Sequence, residues 1–168
     1  MAQLKDTIIL GDLSVTGTAY ASQFIGPISN DYAEYRESDI KEAGRCIVEK
    51  GDDTLELSSR RLQKGCFIIS DTYGFIQGKT RTANTPVALC GRVLAYPYEN
   101  KEDFKKHIGD AVCSAPNGTV SIMTEEEVKN NPLSVVGTIS SVPEYEVWGD
   151  IDCKNIVKVN NRVWINIK

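Results

Sequence analysis

From residue 31 onward the chain alternates apolar and polar positions in short runs rich in β-branched and aromatic residues, broken by turn formers roughly every 8–12 positions. That rhythm predicts strands at 45–49, 54–57, 66–70, 75–77, 87–96, 111–113, 120–123 and 135–142, and hence a mainly β, sandwich- or barrel-like domain. The clearest hairpin comes last. Ile156-Val157-Lys158-Val159 leads into Asn160-Asn161 and then into 162–167, where strict alternation turns Trp164 inward. Asparagine tolerates the left-handed conformations that a tight hairpin turn demands. Helix is scarce. Residues 101–107 and 125–130 fit one or two charged turns each, the second opened by a capping box of Thr124 and Glu127. Neither has enough apolar face to anchor the fold.

Residues 65–97 can be laid over 109–143 as an internal duplication. Gly65, Ser70, Gly74 and Ile76 fall on Gly109, Ser114, Gly118 and Val120 at a constant offset. Slightly out of phase with these, Pro86, Val87, Leu89, Gly91, Val93 and Pro97 fall on Pro132, Leu133, Val135, Gly137, Ile139 and Pro143. A glycine inside a strand marks a bulge or a close backbone approach, so Gly91 and Gly137 are expected to bend their strands at matching corners.

The first stretch differs. Thr7-Ile8-Ile9-Leu10, Gly11-Asp12 and Leu13-Ser14-Val15-Thr16-Gly17-Thr18 form short β-prone runs with glycine turns and few residues to give a core of their own. Such elements bury their faces when several copies wrap together. Residues 1–28 are therefore read as an oligomerising or attachment stem, and 29–168 as the β-rich body.

Composition narrows the function. With 168 residues, 41% hydrophobic and 25% charged, the chain fits one ordinary folded domain with a small appended segment. A net charge of −4 without a run of Lys or Arg argues against nucleic acid and anionic membranes as partners. Met1 to Asp6 has no apolar signal-peptide core, and no run is long enough to span a bilayer as a helix, so cytoplasmic synthesis followed by assembly is expected. Cys46, Cys66, Cys90, Cys113 and Cys153 are well separated and read as buried free thiols. The one histidine, His107, beside Lys105 and Lys106, reads as an exposed helix-end residue, and no metal site or cofactor is expected.

Most carboxylate clusters have structural explanations: Asp52-Asp53 as a hairpin turn, Glu125-Glu126-Glu127 at a helix start where negative charge is favoured, and 99–103 as a polar link. The exception is Asn30-Asp31-Tyr32-Ala33-Glu34-Tyr35-Arg36-Glu37, directly after the stem. On strand spacing Asp31, Ala33 and Tyr35 share one face and Tyr32, Glu34 and Arg36 the other, as the two sides of a sheet edge. Together with the strand at 86–93 and Gly109-Asp110, the Asp-Tyr-Ala-Glu-Tyr run resembles the C-terminal domain of phage pre-neck appendage and tail-fibre proteins, over about 28–149.

The resemblance implies a trimeric assembly domain that cuts its own chain before the Asp of a Ser-Asp-Tyr-Ala-Glu segment. Carried over, Asn30 to Asp31 is the scissile bond and Asp31 with Glu34 the acidic pair, with Asn30 standing where the family has Ser. The leading expectation is a virion structural protein, a tail-fibre or head-fibre appendage that acts in assembly and display as a homotrimer and joins other virion proteins through residues 1–28. Two alternatives are an intramolecular autoprotease using Asn30, Asp31 and Glu34, and a receptor- or glycan-binding adhesin using Tyr73, Tyr96, Tyr98, Tyr145 and Trp148. Hydrolysis of outside substrates ranks last, for want of a nucleophile elbow, a Ser-His-Asp order or a phosphate loop.

Overall fold

A computed structural model of the chain describes residues 15–16, 30–51, 54–78, 82–149 and 156–167. The proposed stem, apart from Val15 and Thr16, lies outside the described residues, as do Asp52-Asp53 and Cys153. Strand accounts for 46% and helix for 14%, so the chain is mainly β with two short helices.

In chain order the strands are β1 (Asp31–Arg36), β2 (Cys46–Glu49), β3 (Leu55–Leu57), β4 (Cys66–Ile69), β5 (Tyr73–Gln77) and β6 (Thr85–Ala95), followed by helix α1 (Lys101–Lys106). Then come β7 (Ala111–Ala115), β8 (Thr119–Ile122), helix α2 (Glu125–Asn130), β9 (Val135–Ser141), β10 (Val147–Trp148), β11 (Val157–Lys158) and β12 (Val163–Ile167). One sheet runs β3-β2-β4-β6-β12-β9-β7-β8, with β1 pairing both β5 and β6; β10 and β11 form a separate small ribbon. The sheet curls until its ends meet. The Val120 amide donates to the Tyr96 carbonyl at 2.9 Å, the Gly118 amide donates to Ser58 O at 2.9 Å, and the Ser58 hydroxyl donates to Ala115 O at 2.6 Å. Curling hides both ends of the path and leaves fewer open edges.

The main core lies inside the curl: Cys46, Ile68, Ala88, Val93, Val112, Val120, Ile139, Val163 and Ile165 among others. The central strands β6 and β12 are covered on both faces, because Leu94 and Trp164 pack outward against Val157 and Val159. Trp164 is fully buried, with Trp148 edge-on at 5.3 Å, so the small β10–β11 ribbon acts as its lid. The tight turn before β12 forms as expected, with Asn160 and Asn161 at φ 48° and 62°, but it does not close a hairpin, because β11 pairs with β10 while β12 enters the main sheet between β6 and β9. Helix α2 carries the expected capping box. Helix α1 does more than expected: its one apolar side chain, Phe104, is fully buried in the main core, so the face is narrow but it anchors.

The two glycines of the duplication hold matching places. Gly91 of β6 and Gly137 of β9 both pair with Ile167, one from each side of β12. Likewise β4 pairs antiparallel with β6, and β7 with β9. The middle strands diverge, since β8 pairs with β7 while β5 leaves β4 to run parallel to β1. The turn between β4 and β5 explains the difference, because its Thr72 is engaged by Asn30 and Asp31 and brings Tyr73 alongside β1.

Three further expectations need correction. Trp164 is buried, but on the outer face of β12, because Val163 and Ile165 on either side of it take the main core. The segment at 31–36 is no edge, because β1 lies between β5 and β6 and pairs with both. Nor are all the cysteines buried: Cys46 and Cys113 are, Cys66 is half-buried, and Cys90 is exposed because its place in β6, opposite Tyr32, turns its side chain to solvent.

Candidate functional site

Asn30 leads into β1 and is bonded on both sides. Asn30 donates its amide to Thr72 O at 3.3 Å and accepts from the Arg92 amide at 2.6 Å. Strand β1 shifts register at Asp31/Tyr32 against β5 and at Tyr32/Ala33 against β6. Such irregularities re-aim side chains, and here Asp31 and Ala33 both end up buried. Gly91 makes the approach of β1 to β6 feasible. It sits at φ +98°, and a Cβ there would lie 2.8 Å from Asp31 Cα and overlap Asn30 O.

The Asp31 carboxyl is 6% exposed and enclosed by hydroxyls. Oδ1 accepts from the Thr72 hydroxyl at 2.8 Å, the Thr72 hydroxyl lies 3.4 Å from that of Ser70, and the Thr72 amide donates to the Ser70 oxygen at 3.0 Å. Oδ2 is buried without a partner, and so is Asn30 Nδ2 across the peptide bond. Burial pushes the Asp31 carboxyl up to about 6, against the nearby Ser70 and Thr72 hydroxyls that hold it down and with a smaller push from the Asp71 charge. Because Oδ1 already takes the Thr72 hydroxyl, Oδ2 is the oxygen left free to take the proton when the group is neutral.

Glu34 does not join Asp31. Three residues further along an extended strand places it roughly 10 Å away. Its carboxylate lies 3.7 Å from Arg36, which also pairs with Glu49, and its stem packs beside Gly78. The acidic neighbour of Asp31 is instead Asp71. Asp71 in turn holds Arg162 through two bonds of 2.8 and 2.9 Å, and the Arg162 side chain is 2% exposed. The residues that sequence reasoning missed are thus Ser70, Asp71, Thr72, Gly91 and Arg92. A Ser-Asp-Thr run between two apolar runs looks like an ordinary turn, and nothing local reveals that it closes over a residue forty positions earlier.

The five aromatics proposed for binding do not form one platform. Tyr73 and Trp148 line an open hollow of about 520 Å³ beside Ser70, Asp71 and Thr72, with Lys41 and Lys158 on its rim. Tyr145 and Trp148 line a shallower patch with Val147. The Tyr145 hydroxyl accepts from Trp164 Nε1 at 2.8 Å, so it serves the core as well as the surface. Tyr96 lies under the Arg45 guanidinium at 4.4 Å, and Tyr98 stands exposed on the segment that leads into α1. His107 is exposed at the end of α1, 2.7 Å from the Asp110 carboxylate.

Comparison with protein-family models, with curated proteins and with solved structures finds no match in any of the three. The functional reading therefore stands on the geometry of this chain.

Proposed function

We propose that the chain is a structural module of a phage virion appendage, of the tail-fibre or head-fibre kind, working in assembly and surface display as a homotrimer. The observation that carries this reading is the grip on residues 30–31. Most chain entry points fray unless they are tied down. Here the first described strand is an interior one, bonded on both sides, with Asn30 held to Thr72 and Arg92 and the Gly91 backbone closed against it. A body whose own first described strand is fixed this firmly suits a module carried outward on a stem. The open hollows and the exposed His107–Asp110 contact fit that role better than they fit turnover of a small substrate. Gold-labelled antibody against residues 30–168, viewed on purified particles by electron microscopy, tests the reading. Label clustered on appendages is expected, and particles left bare would contradict it.

A second reading is self-cleavage at Asn30–Asp31. The specific observation in its favour is the buried carboxyl beside that bond, with its pKa raised to about 6, within the range where general acids work at neutral pH. A fragment whose first residue is Asp31 would support self-cleavage, and an uncut chain under all conditions would remove it.

A further inference from the structure

Two buried side-chain polar atoms among the described residues lack a hydrogen-bond partner, Asn30 Nδ2 and Asp31 Oδ2, and they flank a single peptide bond. Native proteins pair nearly all such atoms, so two failures across one bond call for an explanation. The surrounding backbone is satisfied, since the Asn30 amide donates to Thr72 O and the Asn30 carbonyl accepts from the Arg92 amide at 2.6 Å. The unpaired atoms are a nucleophile and a proton carrier, placed on either side of a carbonyl whose oxygen already faces a donor.

We propose that the Asn30 side chain itself breaks the Asn30–Asp31 bond, by closing on its own carbonyl to leave a C-terminal succinimide, with no water consumed. The inference rests on the self-cleavage reading and gives it a nucleophile. In the first half, the Nδ2 lone pair forms a bond to the Asn30 carbonyl carbon. The carbonyl π electrons move onto oxygen, where the Arg92 N–H stabilises the developing charge. In the second half, the oxygen electrons return and the bond from carbon to the Asp31 nitrogen breaks, its electron pair staying on nitrogen. That nitrogen takes the proton held on Asp31 Oδ2, and the proton lost from Nδ2 restores the carboxyl. An amine is a poor leaving group until it is protonated, which is why a neutral acid at this place matters. Every atom of the chain is retained, and no oxidant or co-reactant enters. Gly91 contributes by leaving room, because any Cβ would push the Asn30 carbonyl away from the Arg92 amide.

Intact-mass measurement on the purified full chain, held at mildly acidic and neutral pH, tests the proposal. Fragments 1–30 and 31–168 are expected, with masses that sum to the uncut chain and the smaller one lighter by one water than its free acid. Mild alkali should then restore that water. Asn30→Ala and Asn30→Gln should lose cleavage, and Asp31→Asn should slow it, with folding checked by circular dichroism. The wild-type product masses decide the matter even if a variant fails to fold. Fragments that together weigh one water more than the intact chain, or cleavage that persists in a folded Asn30→Ala variant, would overturn this route while leaving self-cleavage standing. A chain that stays whole, or only deamidates at Asn30, would overturn both and leave the appendage reading untouched.

Discussion

Gly91 lies so close to Asp31 that a Cβ on the glycine would stand 2.8 Å from the aspartate Cα and overlap the preceding carbonyl oxygen. Backbone, not a flexible side-chain end, occupies that space, so nothing nearby can yield cheaply. Gly91→Ala should therefore lower stability by about 2–4 kcal/mol, combining overpacking with the strain of φ +98°. Gly109 has a similar φ of +93° but nothing within 4 Å of a Cβ, so Gly109→Ala should lose only about 1–2 kcal/mol. Urea unfolding midpoints of the two variants check the contrast.

Asp31 should make stability depend on pH. Its carboxyl rises from an ordinary 3.8 to about 6 in the folded chain, so between those values the native state holds the extra proton. The contribution is fully present below the ordinary value and is lost as pH rises through about 6, for a total of about 2–3 kcal/mol. Unfolding free energy should fall across that window in the wild type. In Asp31→Asn the fall should be absent, and the variant should be the more stable of the two at pH 7.

The Arg162 guanidinium is buried, held by Asp71, by the Val159 and Lys158 carbonyls and near the Tyr96 ring. Removing one partner of such a pair leaves an uncompensated charge. Asp71→Ala should cost about 2–4 kcal/mol, discounted because the Asp71 side chain is 34% exposed. Thermal unfolding of the variant checks this, and an unchanged transition would show that the carbonyls suffice.

Among the described thiols Cys90 is the exposed one, while Cys46 and Cys113 are buried and burial pushes the Cys113 thiol up. A maleimide probe on the native chain should modify Cys90 well before either of them, read by peptide mass mapping. Faster modification of Cys113 would mean that the sheet opens near β7.

How much of this could be read from the sequence depends on how local each feature is. The turn before β12 was legible because period-two alternation and two asparagines lie within a dozen residues, but its two arms go to different partners, and Trp164 is buried on the face opposite the main core, beneath the β10–β11 ribbon. The capping box of α2 is equally local. Gly91 and Gly137 were recognisable as sites of close approach, yet their shared partner, Ile167, comes from a strand outside the duplicated units. Phe104 was hidden as a single apolar residue in a charged helix. The site itself was half legible. Asn30 and Asp31 stood out, but the residues that make them unusual come from the turn at 70–72 and from β6, joined only through long-range pairing. Glu34 was joined to Asp31 only through the resemblance; strand spacing already set the two on opposite faces, and Glu34 lies beside Arg36.

The appendage reading requires several copies of this chain to associate, with the body carried on its leading segment. Multi-angle light scattering on the full-length chain measures that directly. A particle of three chains, reverting to single chains when residues 1–28 are removed, is the predicted result. A full-length chain that stays single at all concentrations would contradict it.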